Sequence, residues 1–291
     1  MAVEQGMQFS IANQRLKIIN QEGIYMSSEV IEVKHFKVGT MKVEIHPSRK
    51  AAGAAAARAT AEAIKERGLI GDSIGVIFAT GASQVDTLDA LTGIENLPWS
   101  KVGGFHLDEY VGISTDHPAS FRRYLREKLT QKVKLKEFAE IDGNAPDLGQ
   151  VCQDYAEKLS AADPQLCLLG IGENGHLAFN DPSVADFSDP LNVKIVQLDP
   201  VCRQQQAAEG WFERFQDVPE RAITLTIPMI FRVPKLIVSV PGSRKAKIIR
   251  RTLEESIATT CPSSILRTHP DVTIYLDIDS ADELNGDELF N

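Results

Sequence analysis

No apolar run in the sequence approaches the ~18 residues that a membrane-crossing helix requires, so no membrane partner is expected. Cysteine is scarce. Cys152, Cys167, Cys202 and Cys261 are the only four, far apart and without a CxxC. That spacing excludes a disulfide-stapled scaffold and predicts four reduced thiols in a cytoplasmic protein. Cys167, inside an apolar run, reads as a small core residue. Basic residues are in deficit: 31 Lys and Arg face 40 Asp and Glu, a net charge of −9. Nucleic-acid binding needs a basic face, so no nucleic-acid partner is expected. An anionic small ligand stays open, since a few local cations and backbone amides suffice for one. The first 30 residues have no basic start leading into an apolar segment, so no signal peptide is read there. A P-loop GKS/T, a Ser/His/Asp elbow, metal-spaced Cys/His pairs, internal repeats and low-complexity tracts are all missing.

What is present is an alternation of strand and helix signals over 291 residues, enough chain to bury a core without staples. Residues 1–35 carry no clear period and read as an N-terminal extension; residues 36–291 read as one domain. A strand is expected within 36–45. A helix follows over Arg49–Arg67, with Ser48 as N-cap and Gly68 beyond its end. Apolar runs predict strands at Ser73–Ala79, Val102–Leu107, Leu166–Ile171, Val193–Leu198, Ala222–Ile227, Lys235–Val240, Ser264–Arg267 and Val272–Leu276. Helices are expected over Gln84–Leu91, Ser120–Thr130, Leu148–Ala161, Val201–Phe212 and Ala246–Ile257, and a short terminal one capped by Ser280. This pattern predicts an α/β fold: a mainly parallel open sheet with helices on both faces, a Rossmann-like three-layer arrangement. Such sheets bind ligands at the carboxyl ends of their strands.

Four strand ends carry chemistry. Thr80-Gly81-Ala82-Ser83 is a glycine turn leading into a helix, either an ordinary β–α turn or a place where free amides meet a phosphate. Asp108-Glu109 ends another strand, as solvated acids, an N-cap, or a general base whose pKa burial raises. Gly170-Ile171-Gly172-Glu173-Asn174-Gly175-His176 continues to Asp181 and offers an amide, an imidazole and a carboxylate within eight residues; the plain alternative is a glycine-spaced loop. Pro241-Gly242-Ser243-Arg244-Lys245 puts two cations at a helix start, where the helix dipole disfavours them unless an anion faces them.

Together these stretches resemble the glucosamine-6-phosphate deaminase family, in the sugar-phosphate isomerase-like superfamily that also holds 6-phosphogluconolactonase. The resemblance rests on Phe105-His106-Leu107-Asp108-Glu109-Tyr110-Val111-Gly112, Asn144-Ala145-Pro146-Asp147, Gly170 to Asn180, and Gly242-Ser243-Arg244-Lys245-Ala246, and covers roughly residues 45–285. It implies cofactor-free conversion of D-glucosamine 6-phosphate and water to D-fructose 6-phosphate and ammonia. It gives His176 the ring opening, with Asn174 and Asp181 orienting it, and gives Asp108 the proton transfer between carbons. Phosphate would lie on the Thr80–Ser83 amides and Lys245; Glu109, Gly172, Arg203 and Arg244 complete the binding set. Asp181 stands where the family usually has Glu, which predicts a lost or water-mediated contact with His176. The family's phosphate-binding Arg aligns near Ala208, in a stretch without a cation, leaving Arg203 or Arg244 to compensate. A related sugar-phosphate isomerase or 6-phosphogluconolactonase, and a sugar-phosphate sensor without turnover, are the alternative readings. Both hexamers and monomers occur among proteins of this kind, so a homo-oligomer stays open.

Overall fold

Strands that are apolar at odd and even positions alike need cover on both faces. β3 (Ile74–Phe78), β4 (Val102–His106), β7 (Leu166–Leu169) and β11 (Val272–Asp277) are buried at every residue, and β10 (Lys235–Val240) at all but its first. Their side chains divide by parity. Leu166 and Leu168 join one apolar cluster with the alanines of α1 (Arg49–Ile70) and with Leu88 and Leu91 of α2 (Val85–Thr92). Cys167 and Leu169 join the opposite cluster, with Tyr155 and Leu159 of α4 (Leu148–Ala162) and Ile248, Ile249 and Leu253 of α7 (Ala246–Glu254).

A computed structural model describes residues 33–284. Adding β1 (Lys34–Val38), β2 (Met41–His46) and β6 (Glu137–Ala139), the main sheet has eight strands in the order β1-β2-β11-β10-β7-β3-β4-β6. Only the β1–β2 hairpin at one edge is antiparallel. The expected three-layer α/β architecture is therefore present. The expectation for residues 1–35 lies almost entirely outside the described residues. All four cysteines are buried and unpaired. Among the described residues no helix is long and apolar enough to cross a membrane.

Several local expectations are corrected. The segments at 193–198 and 222–227 do not join the main sheet. As β8 (Val193–Gln197) and β9 (Arg221–Leu225) they form a separate antiparallel sheet with β5 (Asp108–Tyr110), in the order β5-β9-β8. Its cover is a small aromatic core of Tyr110, Phe121, Phe179 and Phe212. Residues 264–267 belong to a 3₁₀ helix, Pro262–Thr268, instead of a strand. α1 runs through Gly68 and ends before Gly71, whose amide donates to the Arg67 carbonyl. The helix expected from Ser120 to about Thr130 is present, as α3 (Phe121–Leu125) with Ser120 as N-cap, continued by a π-helical turn, Arg126–Thr130. α5 (Pro200–Ala208) stops well before Phe212, with Gly210 at φ 81°. Ser280 closes a turn with Asp277, and no helix follows it among the described residues. A further short helix, α6 (Ile227–Phe231), follows β9.

Candidate active site

At the carboxyl ends of β3 and β10 the chain makes the same turn twice. Gly81 and Gly242 have φ of 92° and 97°, values open to glycine at little cost. Each glycine carbonyl then accepts from the amide three residues on, Gln84 at 3.1 Å and Lys245 at 2.9 Å. Gln84 and Lys245 also share a backbone conformation, φ/ψ of −93°/−11° and −94°/−11°. A short 3₁₀ turn thus feeds a helix N-terminus in both places, and a Cβ on either glycine would meet only open space. Both loops line one cleft of about 240 Å³. Lys245 is its buried cation. It has no carboxylate within ion-pair distance among the described residues, and burial holds its pKa down despite the attraction of Glu209 and Glu173.

The reactive end of the cleft begins where β4 ends. After Leu107, whose carbonyl accepts from the Leu225 amide at 3.1 Å, the chain leaves the main sheet to pair with β9. Adjacent strand residues face opposite ways. Asp108 lines the cleft, while Glu109 turns into the protein. Burial, reinforced by the neighbouring Glu109 carboxylate, pushes the Asp108 carboxyl well above the usual carboxylate range. Glu109 is instead the anchor of α3. It accepts from the Tyr110, Phe121 and Arg122 amides at 2.9, 3.2 and 2.9 Å and from the Ser120 hydroxyl at 3.0 Å. Burial raises its pKa, and these donors restrain the rise.

His176 enters from the turn after β7. Its ring lies against Gly172 so closely that a Cβ there would sit 2.1 Å from Cε1. Asn174 ties the turn together: its Oδ1 accepts from the His176 amide at 3.1 Å and its Nδ2 donates to Asp181 Oδ1 at 2.9 Å. That same Oδ1 lies 2.9 Å from His176 Nδ1. Nδ1 makes no well-aligned hydrogen bond at that distance. The expected loss of direct contact is thus corrected. The turn folds back far enough for Asp181 to reach the ring without the extra methylene. Burial alone would raise the Asp181 pKa, but His176, Asn174 and the Asp199 amide at 3.0 Å outweigh it and hold it below the usual range.

Of the expected site residues, Thr80, Gly81, Ala82, Ser83, Asp108, Gly172, His176, Arg244 and Lys245 line this one cleft. Asn174 and Asp181 stand behind His176. Glu109 does not line it, for the reason just given. Arg203 does not either: its guanidinium donates to the Val218 carbonyl at 2.8 Å and lies 4.5 Å over the Phe215 ring. The cleft also holds residues the sequence reading missed. Arg49, read only as a helix start, reaches the Ala82 carbonyl and Asp86. Phe121, assigned to the core, lines the cleft and stacks on Phe179 with centroids 5.7 Å apart. Gln205, Gln206 and Glu209 of the α5 region complete the wall. Among the described residues one group has donor atoms close enough to share a metal ion, His176, Asp181 and Cys202, all within 4.8 Å. Burial and the Asp181 carboxylate push the Cys202 thiol up, which works against the thiolate a soft metal needs.

Two glycine loops at helix starts, a buried lysine, a carboxyl poised to hold a proton and a carboxylate-backed histidine define a class. They are the parts with which an α/β protein would hold a small anionic ligand at the sheet's carboxyl edge and move protons on it. Residues 47–275 match the family described as glucosamine-6-phosphate isomerases/6-phosphogluconolactonase, and the chain belongs to that family of enzymes. It is 34% identical over 218 residues to a glucosamine-6-phosphate deaminase of Listeria monocytogenes, covering 75% of this chain and 91% of that protein. A deaminase of the same name from a Geobacillus species is 36% identical over 209 residues, 70% of this chain and 81% of that one. Among solved structures, a monomeric glucosamine-6-phosphate deaminase aligns with a TM-score of 0.76 at 30% identity, covering 83% of this chain and 99% of that one. A 6-phosphogluconolactonase of Trypanosoma brucei aligns with a TM-score of 0.69 at 20% identity, over 86% of this chain and all of that one, a likeness of fold alone.

Proposed function

We propose that the protein is a cytoplasmic glucosamine-6-phosphate deaminase, releasing ammonia and forming D-fructose 6-phosphate. The observation that carries this reading is the meeting, in one cleft, of Asp108 with His176 and of both with the glycine loops and Lys245. The phosphate lies against the loop amides and the Lys245 ammonium, which fixes the sugar's first carbons at the other end. His176 takes the C1 hydroxyl proton and delivers one to the ring oxygen, opening the pyranose; Asp181 and Asn174 keep its ring in place. Asp108 then removes the C2 proton as a carboxylate; the C2–H electrons become the C1–C2 double bond, the C1 carbonyl electrons move onto O1, and O1 takes up the proton released by the C2 ammonium, giving an enolamine. The carboxyl returns the proton to C1. Water adds to the resulting C2 iminium and ammonia leaves, giving the ketose. A raised pKa suits a group that must both take and give a proton near neutrality. Asp108 is a strand-held wall carboxyl whose pKa burial raises, which favours carbon acid chemistry over lactone hydrolysis.

The test is ammonia release from glucosamine 6-phosphate by the purified protein, with N-acetylglucosamine 6-phosphate as control. Ammonia and fructose 6-phosphate in equal amounts from the first sugar alone are expected. Binding of glucosamine 6-phosphate with no product would overturn the enzymatic assignment in favour of a sensor.

A further inference from the structure

The cationic end of the cleft is neutralised by the protein itself. Arg49, Arg244 and Lys245 are the three Lys or Arg residues in the cleft wall. Arg49 Nε is 2.5 Å from Asp86 Oδ2. Arg244 lies between two carboxylates, with Nε 3.5 Å from Glu173 Oε1 and Nη2 3.7 Å from Glu209 Oε1. The charges that most attract Lys245 are again Glu209 and Glu173. Arg49 and Arg244 are thus paired with carboxylates, and Glu209 and Glu173 also act on the unpaired Lys245, so the side chains offer a phosphate dianion little net positive charge.

Glu209 is the member of this set that is both buried and aimed into the cleft. Its side chain is 7% exposed. Gln205 Nε2 donates to one of its oxygens at 2.8 Å and Trp211 Nε1 to the other at 3.1 Å, so it is held in place. Gln206 lines the cleft beside it, and its side-chain amide has no hydrogen-bonding partner among the described residues. A fixed carboxylate and a free amide suit a hydroxyl group; a carboxylate beside a phosphate dianion is repulsive.

We propose that Glu209 is a specificity-determining residue: by neutralising the cationic wall it lets the site accept an amino sugar without its terminal phosphate alongside the phosphorylated one. The terminal hydroxyl of the neutral sugar bonds to Gln206 and Glu209. This rests on the reading of the cleft as an amino-sugar deaminase site.

The experiment compares kcat/KM for glucosamine 6-phosphate and glucosamine in the wild type, Glu209→Gln and Glu173→Gln, and titrates all three proteins with inorganic phosphate by calorimetry. Glu209→Gln keeps an acceptor oxygen for one of the two donors, Gln205 or Trp211; Glu173→Gln changes a more exposed side chain and serves if the first variant does not fold. A site built around the phosphate would reject the sugar lacking it by roughly 10⁴-fold or more, so a wild-type preference below about 10³-fold is expected. Glu209→Gln should raise that preference and tighten phosphate binding by about tenfold or more, and Glu173→Gln should shift both in the same direction by less. A wild-type preference above about 10³-fold, or a phosphate affinity unchanged in both variants, overturns the proposal. If neither sugar is turned over, the deaminase reading fails on its own. The phosphate titration then decides whether Glu209 neutralises the wall.

Discussion

The two ends of the cleft are built on different terms. The reactive end depends on side chains: Asp108, whose pKa burial raises, and the His176–Asp181–Asn174 group, in which Asp181 is held below the usual carboxylate range. The other end depends on backbone, two loops of nearly identical conformation at Gly81 and Gly242. Within that second end, one backbone position is used in two ways. Lys245 reaches the cleft, whereas Gln84 turns inward and donates to the Leu169 carbonyl at 3.0 Å, clamping β3 to β7. A loop can thus be repeated for its amides while its side chain is chosen for either ligand or scaffold. Changes at the first end should act on kcat, and changes at the second on KM or on stability.

The largest expected effect is at Asp108. Asp108→Asn should lower kcat by about 10³-fold or more while leaving sugar-phosphate binding in place, measured by steady-state kinetics and calorimetry. The same substitution should stabilise the fold at neutral pH. The folded-state pKa lies above the ordinary value, so the native protein retains a proton the unfolded chain has lost, and stability falls as pH rises through that interval. The gain should therefore vanish below the usual carboxylate range in denaturant titrations across pH; a gain independent of pH would reject the assignment. Asp181→Asn comes next, with kcat reduced on the order of 10²-fold through misplacement of the His176 ring and a smaller change in KM. Lys245→Ala should raise KM about tenfold with kcat little changed, because phosphate contacts are alike in the ground and transition states. An unchanged KM would remove the phosphate from this end. Gln84→Ala should leave kcat within a few-fold and cost about 1–3 kcal/mol of unfolding free energy, by stripping a buried hydrogen bond. A KM effect as large as that of Lys245→Ala would show that the two loops do the same work.

What was legible in the chain follows the reach of local pattern. Apolar runs at both parities marked the central strands, and Gly81 and Gly242 marked the two helix-start turns, since positive φ after a strand selects glycine. Asn174, His176 and Asp181 lie within eight consecutive residues, so their cluster could be read directly. The errors fall where a segment's partner is distant. β8 and β9 look like any other short strands, and only their pairing with Asp108–Tyr110 removes them from the main sheet. Arg203 and Glu209 flank the same stretch, yet helix phase and the contact with Phe215 send the arginine away from the cleft and leave the acid in it.

By itself the sequence determined the α/β class, the strand-end turns, the histidine cluster and the family. Each is written in spacing along a few consecutive residues. The tertiary structure alone decided that Asp108 faces the cleft while Glu109 anchors α3, that Asp181 reaches His176, that Arg49 joins the wall, and that Glu173 and Glu209 pair with Arg244. These depend on strand pairing and helix packing between remote segments, which assign burial, and so protonation and charge balance, to side chains that look alike in the chain.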